Sequence, residues 1–87
     1  MPLVFIPPLL KPLCEGESVV EVQAGNVRQV IDELESRFPG VRDRLCEGND
    51  LKPGLTVAVD ANVSSLGMLQ KLGENSEVHF LPAIGGG

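Results

Sequence analysis

Hydrophobic positions along this chain change their period several times, and each change marks an element. Leu3 to Ile6 (LVFI) is a short apolar run closed by Pro7 and Pro8. Proline cannot donate to a central ladder, so the run predicts a strand with a sharp end. The segment PPLLKPLCEGE then turns the chain, punctuated by Pro12 and Gly16. Within Ser18 to Gln23 (SVVEVQ), Val20 and Val22 alternate with Glu21 and Gln23, the pattern of a half-buried strand. These first two strands are expected to form an antiparallel hairpin with a long connection.

In NVRQVIDELESRFPG the spacing lengthens. Val27, Val30, Ile31, Leu34 and Phe38 fall three or four residues apart and form one face of an amphipathic helix. Asn26 is a good N-cap, and Gln29 stands three residues later, as in a capping box. Pro39 and Gly40 end the helix. Arg28, Asp32, Glu33, Glu35 and Arg37 make up its other side and read as a solvated face. Each large apolar side chain on the buried stripe contributes about 1.5–3 kcal/mol, provided a sheet lies beneath it.

Farther along, VRDRL (residues 41 to 45) predicts one more helical turn with Val41 and Leu45 inward, and CEGNDLKPG predicts a loop. Leu55 to Val59 (LTVAV) is a strand with Leu55, Val57 and Val59 inward. Asp60 to Asn62 is a turn, and Val63 to Ser65 begins a short edge strand. LGMLQKL is expected to be a turn or brief 3₁₀ segment with Leu66, Leu69 and Leu72 packed under the sheet. After a turn at residues 73–76, Glu77 to Leu81 is the last strand. It sets Val78 and Phe80 on one face and His79 and Leu81 on the other. One long helix and four to five strands make an α+β fold, a sheet packed on one main helix. The expected organisation is one domain, residues 1–81, followed by a flexible Gly-rich tail, residues 82–87.

Composition narrows the function. A chain of 87 residues supports one thin core and no deep cavity. It has no Trp or Tyr and only three Phe, which argues against a base-stacking surface. A formal net charge of −5 works against phosphate backbones and suits a partner with a basic docking face. Neither nucleic acid nor membrane is an expected partner, since no apolar run approaches a membrane span. Cys14 and Cys46 lie too far apart for a metal-ligand spacing. One disulfide is compatible with the sequence, but no secretory signal accompanies it. The expectation is therefore a cytoplasmic protein with two reduced, partly buried thiols and no metal. His79, the single histidine, reads as a surface residue. No nucleophile or acid/base pair is brought together, so side-chain catalysis is not expected.

What remains is the C-terminal carboxylate of Gly87. An α-carboxyl of pKa about 3.3–3.7 is ionised at neutral pH and can attack an electrophile. Glycines give a thin tail that can thread a narrow channel. From Pro82 to Gly87 the extended chain reaches roughly 20 Å, and Pro82 is expected to stop the strand. Glycine-rich ends also fray without any function, and composition leaves that alternative open.

The whole pattern resembles the ubiquitin-like β-grasp sulfur carriers, the MoaD/ThiS family. The most specific part is EVHFLPAIGGG, residues 77 to 87, in which a last strand runs into Pro82 and a terminal Gly86–Gly87. TVAVDANVSS, residues 56 to 65, matches the family's preceding strand-turn-strand. IPPLLKP and PGVRDRL resemble the MoaD-like carriers of cysteine biosynthesis, the CysO-like branch. Gly85 departs from the pattern, where other small residues are common.

The resemblance implies a mixed sheet and a mechanism. The carrier is a protein co-substrate and not an enzyme. A ubiquitin-activating-type adenylyltransferase uses ATP and Mg²⁺ at its own site to adenylate Gly87, and the carrier itself binds no cofactor. A sulfur donor displaces AMP to leave a thiocarboxylate, and a client takes the sulfur. That client is a PLP-dependent cysteine synthase. Alternatively the chain is the small subunit of molybdopterin synthase, held by the large subunit, or a ubiquitin-like protein modifier. Leu81, Pro82, Ile84, Gly85 and Gly86 are the expected partner contacts.

Overall fold

The computed structural model describes residues 1–82. Seven strands and two helices follow in the order β1 (Leu3–Phe5), β2 (Val19–Glu21), α1 (Val27–Arg37), α2 (Val41–Leu45), β3 (Cys46–Glu47), β4 (Asp50–Leu51), β5 (Leu55–Val59), β6 (Asn62–Val63) and β7 (Glu77–Pro82). Short 3₁₀ turns cover Pro8–Leu10 and Gly67–Leu69. Five strands form one sheet in the order β2-β1-β7-β5-β6. The β1–β2, β5–β7 and β5–β6 pairs are antiparallel, whereas β1 and β7 run parallel. This is the mixed β-grasp sheet, with the first and last strands side by side near its centre.

The register explains the core. Val20, Val4, Val78 and Val59 are successive partners across β2, β1, β7 and β5. All four are buried, as are Val57 and Phe80 one rung along. Val27, Val30, Ile31 and Leu34 of α1 are fully buried in the same core. Branched side chains pack well on a pleated surface, which favours valine at these positions. Val41 and Leu45 close one end of the core from α2, as their spacing predicts.

The helix ends use the expected residues in a modified way. Asn26 Oδ1 accepts from Gln29 N–H at 2.9 Å. Gln29 Oε1 reaches back past the N-cap to Gly25 N–H at 2.6 Å, so the box is one residue wider than the usual form. At the other end, Gly40 has φ of 105°, a left-handed conformation that suits glycine. Glu35 does not belong to a merely solvated face. Its carboxylate accepts from Gly40 N–H at 3.2 Å and Arg42 N–H at 2.8 Å, tying α1 to the first turn of α2. These backbone donors, Arg42 first and then Gly40, hold the Glu35 carboxyl below its ordinary pKa of 4.5. The exposed Asp32–Arg42 ion pair spans the same junction, and exposed pairs of this kind contribute little.

Several expectations are corrected. CEGNDLKPG is not a plain loop, because Cys46 pairs with Leu51 and Glu47 with Asp50 in a small hairpin. Leu66 and Leu69 do not pack under the sheet; they are 57% and 73% exposed. Residues i and i+3 eclipse in a 3₁₀ turn, so both leucines point outward together and Met68 is buried in their place. Leu72 does pack against the core. The edge strand is Asn62–Val63, one residue earlier than expected. Asp60 and Ala61 have φ of 52° and 70°, the pair of positive values that a tight two-residue hairpin needs. Pro82 does not stop β7 but forms its last rung opposite Leu55. Leu55 N–H is donated to Lys52 O, so that rung needs no donor from Pro82.

The thiols lie deeper than the sequence suggests. Cys14 and Cys46 are both buried and free, with no disulfide between them. Burial raises both thiol pKa values, slightly offset at Cys46 by the Arg42 charge. Both thiols are expected to react with an aromatic disulfide reagent only as the protein unfolds. Fast labelling of the native protein would contradict that assignment. For Glu35, the depressed folded-state pKa sets the sign of the pH effect. Its contribution is complete above the ordinary value of 4.5 and is lost as pH falls through the folded value. Glu35→Gln is therefore expected to lower the urea midpoint at pH 7 and to flatten the loss of stability below pH 4.5, as followed by circular dichroism.

Candidate functional site

Strand β7 sits between β1 and β5, with ladders on both sides. Val78 and Phe80 face the core and fix it, while Leu81 and Pro82 emerge at the sheet's end, Leu81 37% exposed and Pro82 exposed as well. The expected contacts Leu81 and Pro82 are thus adjacent and accessible. The other candidates, Ile84, Gly85, Gly86 and Gly87, lie outside the described residues, as does most of the expected tail 82–87.

Beside this exit lies an apolar groove of about 520 Å³. Its walls are Phe5, Ile6, Pro7, Pro8 and Leu9 on one side and Gly54, Leu55, Leu81 and Pro82 on the other, with Leu45 and Phe80 beneath. The two prolines that end β1 turn the chain along the groove, and the 3₁₀ turn that follows leaves Leu9 exposed and Leu10 buried. The IPPLL segment, read in the sequence as a strand end, a turn and part of a family resemblance, therefore builds one wall of the site.

His79 lies in the same groove and is half-buried, which corrects its assignment as a plain surface residue. Its ring stacks on Phe5, with centroids 4.3 Å apart and planes within 8°. The contact follows from register, because Phe5 and His79 are partners in the parallel ladder and both point away from the core. The row continues on each side, through Val19 of β2 and through Ala58 and Val63 of β5 and β6. The outer sheet face therefore carries a largely apolar row, with His79 as its polar member. The next row contains Glu21, Leu3 and Glu77 and gives that row an acidic border. Sequence alternation places Phe5 opposite Val4, but only the pairing of β1 with β7 brings it to His79.

Among the described residues, side chains bring together no other centre of chemistry. Among the described residues, no group of three or more His, Cys, Asp and Glu is placed to hold a metal. No helix among them is long and apolar enough to cross a membrane. Cys14 and Cys46, buried with raised pKa values, do not form an activated thiol.

Comparison with known proteins agrees with this architecture. Residues 10–87 match the ThiS family. A chain in the crystal structure of the Amycolatopsis orientalis BexX/CysO complex is 29% identical, with a TM-score of 0.89 and 100% of both chains covered. The crystal structure of Mycobacterium tuberculosis CysO is 25% identical, with a TM-score of 0.86 over 97% of this chain and 100% of that one. The solution structure of small archaeal modifier protein 1 from Methanosarcina acetivorans shares the fold, with a TM-score of 0.79 at 19% identity over 99% of this chain and 95% of that one. No curated protein sequence matches significantly. The family match over nearly the whole chain and the mixed sheet lead to one conclusion: this protein belongs to the ThiS family and has the fold of a ubiquitin-like β-grasp sulfur carrier.

Proposed function

We propose that the protein carries sulfur as a thiocarboxylate on Gly87 and delivers it to cysteine biosynthesis. The observation that carries this reading is the full-length likeness to two CysO structures, together with a central strand that leads directly to the Gly-rich end. In the proposed sequence a carboxylate oxygen of Gly87 attacks the α-phosphorus of ATP in a partner adenylyltransferase, with Mg²⁺ at the partner's site, and pyrophosphate leaves. A sulfide-equivalent nucleophile then attacks the acyl carbon and AMP leaves, so one oxygen of the carboxylate is replaced by sulfur. A PLP-dependent cysteine synthase is the proposed recipient. The protein acts as co-substrate in each step. Leu81, Pro82 and Ile84 contact the partner while Gly85 and Gly86 thread its channel.

A second reading has one observation in its favour, the shared fold with an archaeal modifier protein. In that reading the same carboxylate forms isopeptide bonds with lysines of target proteins.

Intact-mass measurement separates the two readings. Produced with its adenylyltransferase and a sulfur donor, the protein is expected to gain the mass of sulfur in place of one oxygen. Deleting Gly87 is expected to abolish the change and leave the circular dichroism spectrum intact; a change that survives the deletion overturns the mechanism. Accumulation of higher-mass conjugates linked through Gly87, with no thiocarboxylate, would favour the modifier reading. The double substitution Leu81→Ala and Ile84→Ala is expected to weaken adenylyltransferase binding roughly tenfold by titration calorimetry, and unchanged affinity would remove both residues from the docking surface.

A further inference from the structure

We infer that His79 is the specificity-determining contact of the docking groove, a single directional hydrogen-bonding group presented to the adenylyltransferase from an otherwise apolar wall. The inference rests on the carrier reading and adds to it a residue outside the tail.

Two observations at the ring support it. Among the described residues that line the groove, His79 alone carries a side-chain hydrogen-bonding group. An apolar groove gains affinity from burial but discriminates poorly between partners, whereas one polar group that must be matched excludes partners that leave it unpaired. The Phe5 ring lies flat against the imidazole at 4.3 Å. A stacked ring loses little freedom on binding, and its nitrogens point in the ring plane, away from Phe5. That is the preorganisation a specificity contact requires.

Position identifies the occupant. Pro82 ends β7 on the rim of this groove, and five more residues lead to Gly87. Fully extended they reach roughly 17 Å. A protein that holds Gly87 in its active site must therefore bring the mouth of its tail channel close to the groove. The acidic border of Glu21 and Glu77 and the net charge of −5 suit a partner with an apolar ridge and a basic rim.

Across the sheet and in the groove, the side chains beside the ring are uncharged. On the elements packed around the His79 ring, β1 contributes Phe5 and Leu3, β5 contributes Ala58 and Thr56, and the turn after β1 contributes Pro7, Pro8 and Leu9. None of these ionises. Glu77, two residues earlier on the same face of β7, is the ionisable group nearest in register, with Glu21 beyond Leu3.

The test measures pyrophosphate release by the adenylyltransferase of the same organism with ATP and Mg²⁺, varying carrier concentration. His79→Leu, which keeps the apolar area, is expected to raise KM for the carrier about five- to tenfold and leave kcat unchanged. His79→Gln keeps a hydrogen-bonding group at the same place. It is expected to retain the native KM within about twofold. A native KM for His79→Leu, or a KM for His79→Gln raised as far as that of His79→Leu, would overturn the inference. Failure of the native protein to release pyrophosphate, with the same result after Gly87 deletion, would instead reject the carrier reading.

Discussion

The parallel pairing of β1 with β7 is the constraint on which the rest of this structure depends. It joins Leu3–Phe5 to Glu77–His79, residues from opposite ends of the chain, and everything between them must form a crossover. Parallel neighbours need such a connection, and it covers one face of the sheet. Here α1 supplies the cover and buries the row of four valines. The same pairing leaves the opposite face uncovered, and its outward side chains, Phe5 and His79 among them, stack without a helix above them. Core and candidate docking face are thus two sides of one register.

Local signals in the sequence located most of the elements. The 3.6-residue period from Val27 to Leu34 and the alternation in LTVAV determine α1 and β5, because burial on one face requires those spacings. The elements that differ from expectation are those decided by geometry over one or two residues. Leu66 and Leu69 look like core residues by composition, but the eclipsing of a 3₁₀ turn directs both outward. Glu35 looks like part of a charged helix face until the turn at Gly40 brings two backbone donors to it. Pro82 looks like a strand terminator, yet the rung it occupies asks it for no N–H.

The candidate site was legible in a different proportion. The terminal glycines are visible by composition alone, and the role proposed for them draws on the likeness to the ThiS family. The groove is non-local. Its walls come from IPPLL near the start, Gly54 and Leu55 in the middle and Leu81 and Pro82 near the end, and no single window of sequence contains it. His79 shows the same limit: alternation placed it on the outer face, but its stack on Phe5 depends on a partner more than seventy positions away.

The flanking of β7 by two ladders also has a mechanical consequence. A partner that grips the chain beyond Pro82 and pulls along the strand does not peel β7 away one bond at a time. The load falls in shear on the β1 and β5 ladders together, with Val78 and Phe80 wedged in the core as anchors. By contrast β6, paired on one side over two residues, would unzip under a small lateral force. The domain is therefore built to resist tension along the axis of β7, the axis on which any pull on the chain beyond Pro82 acts.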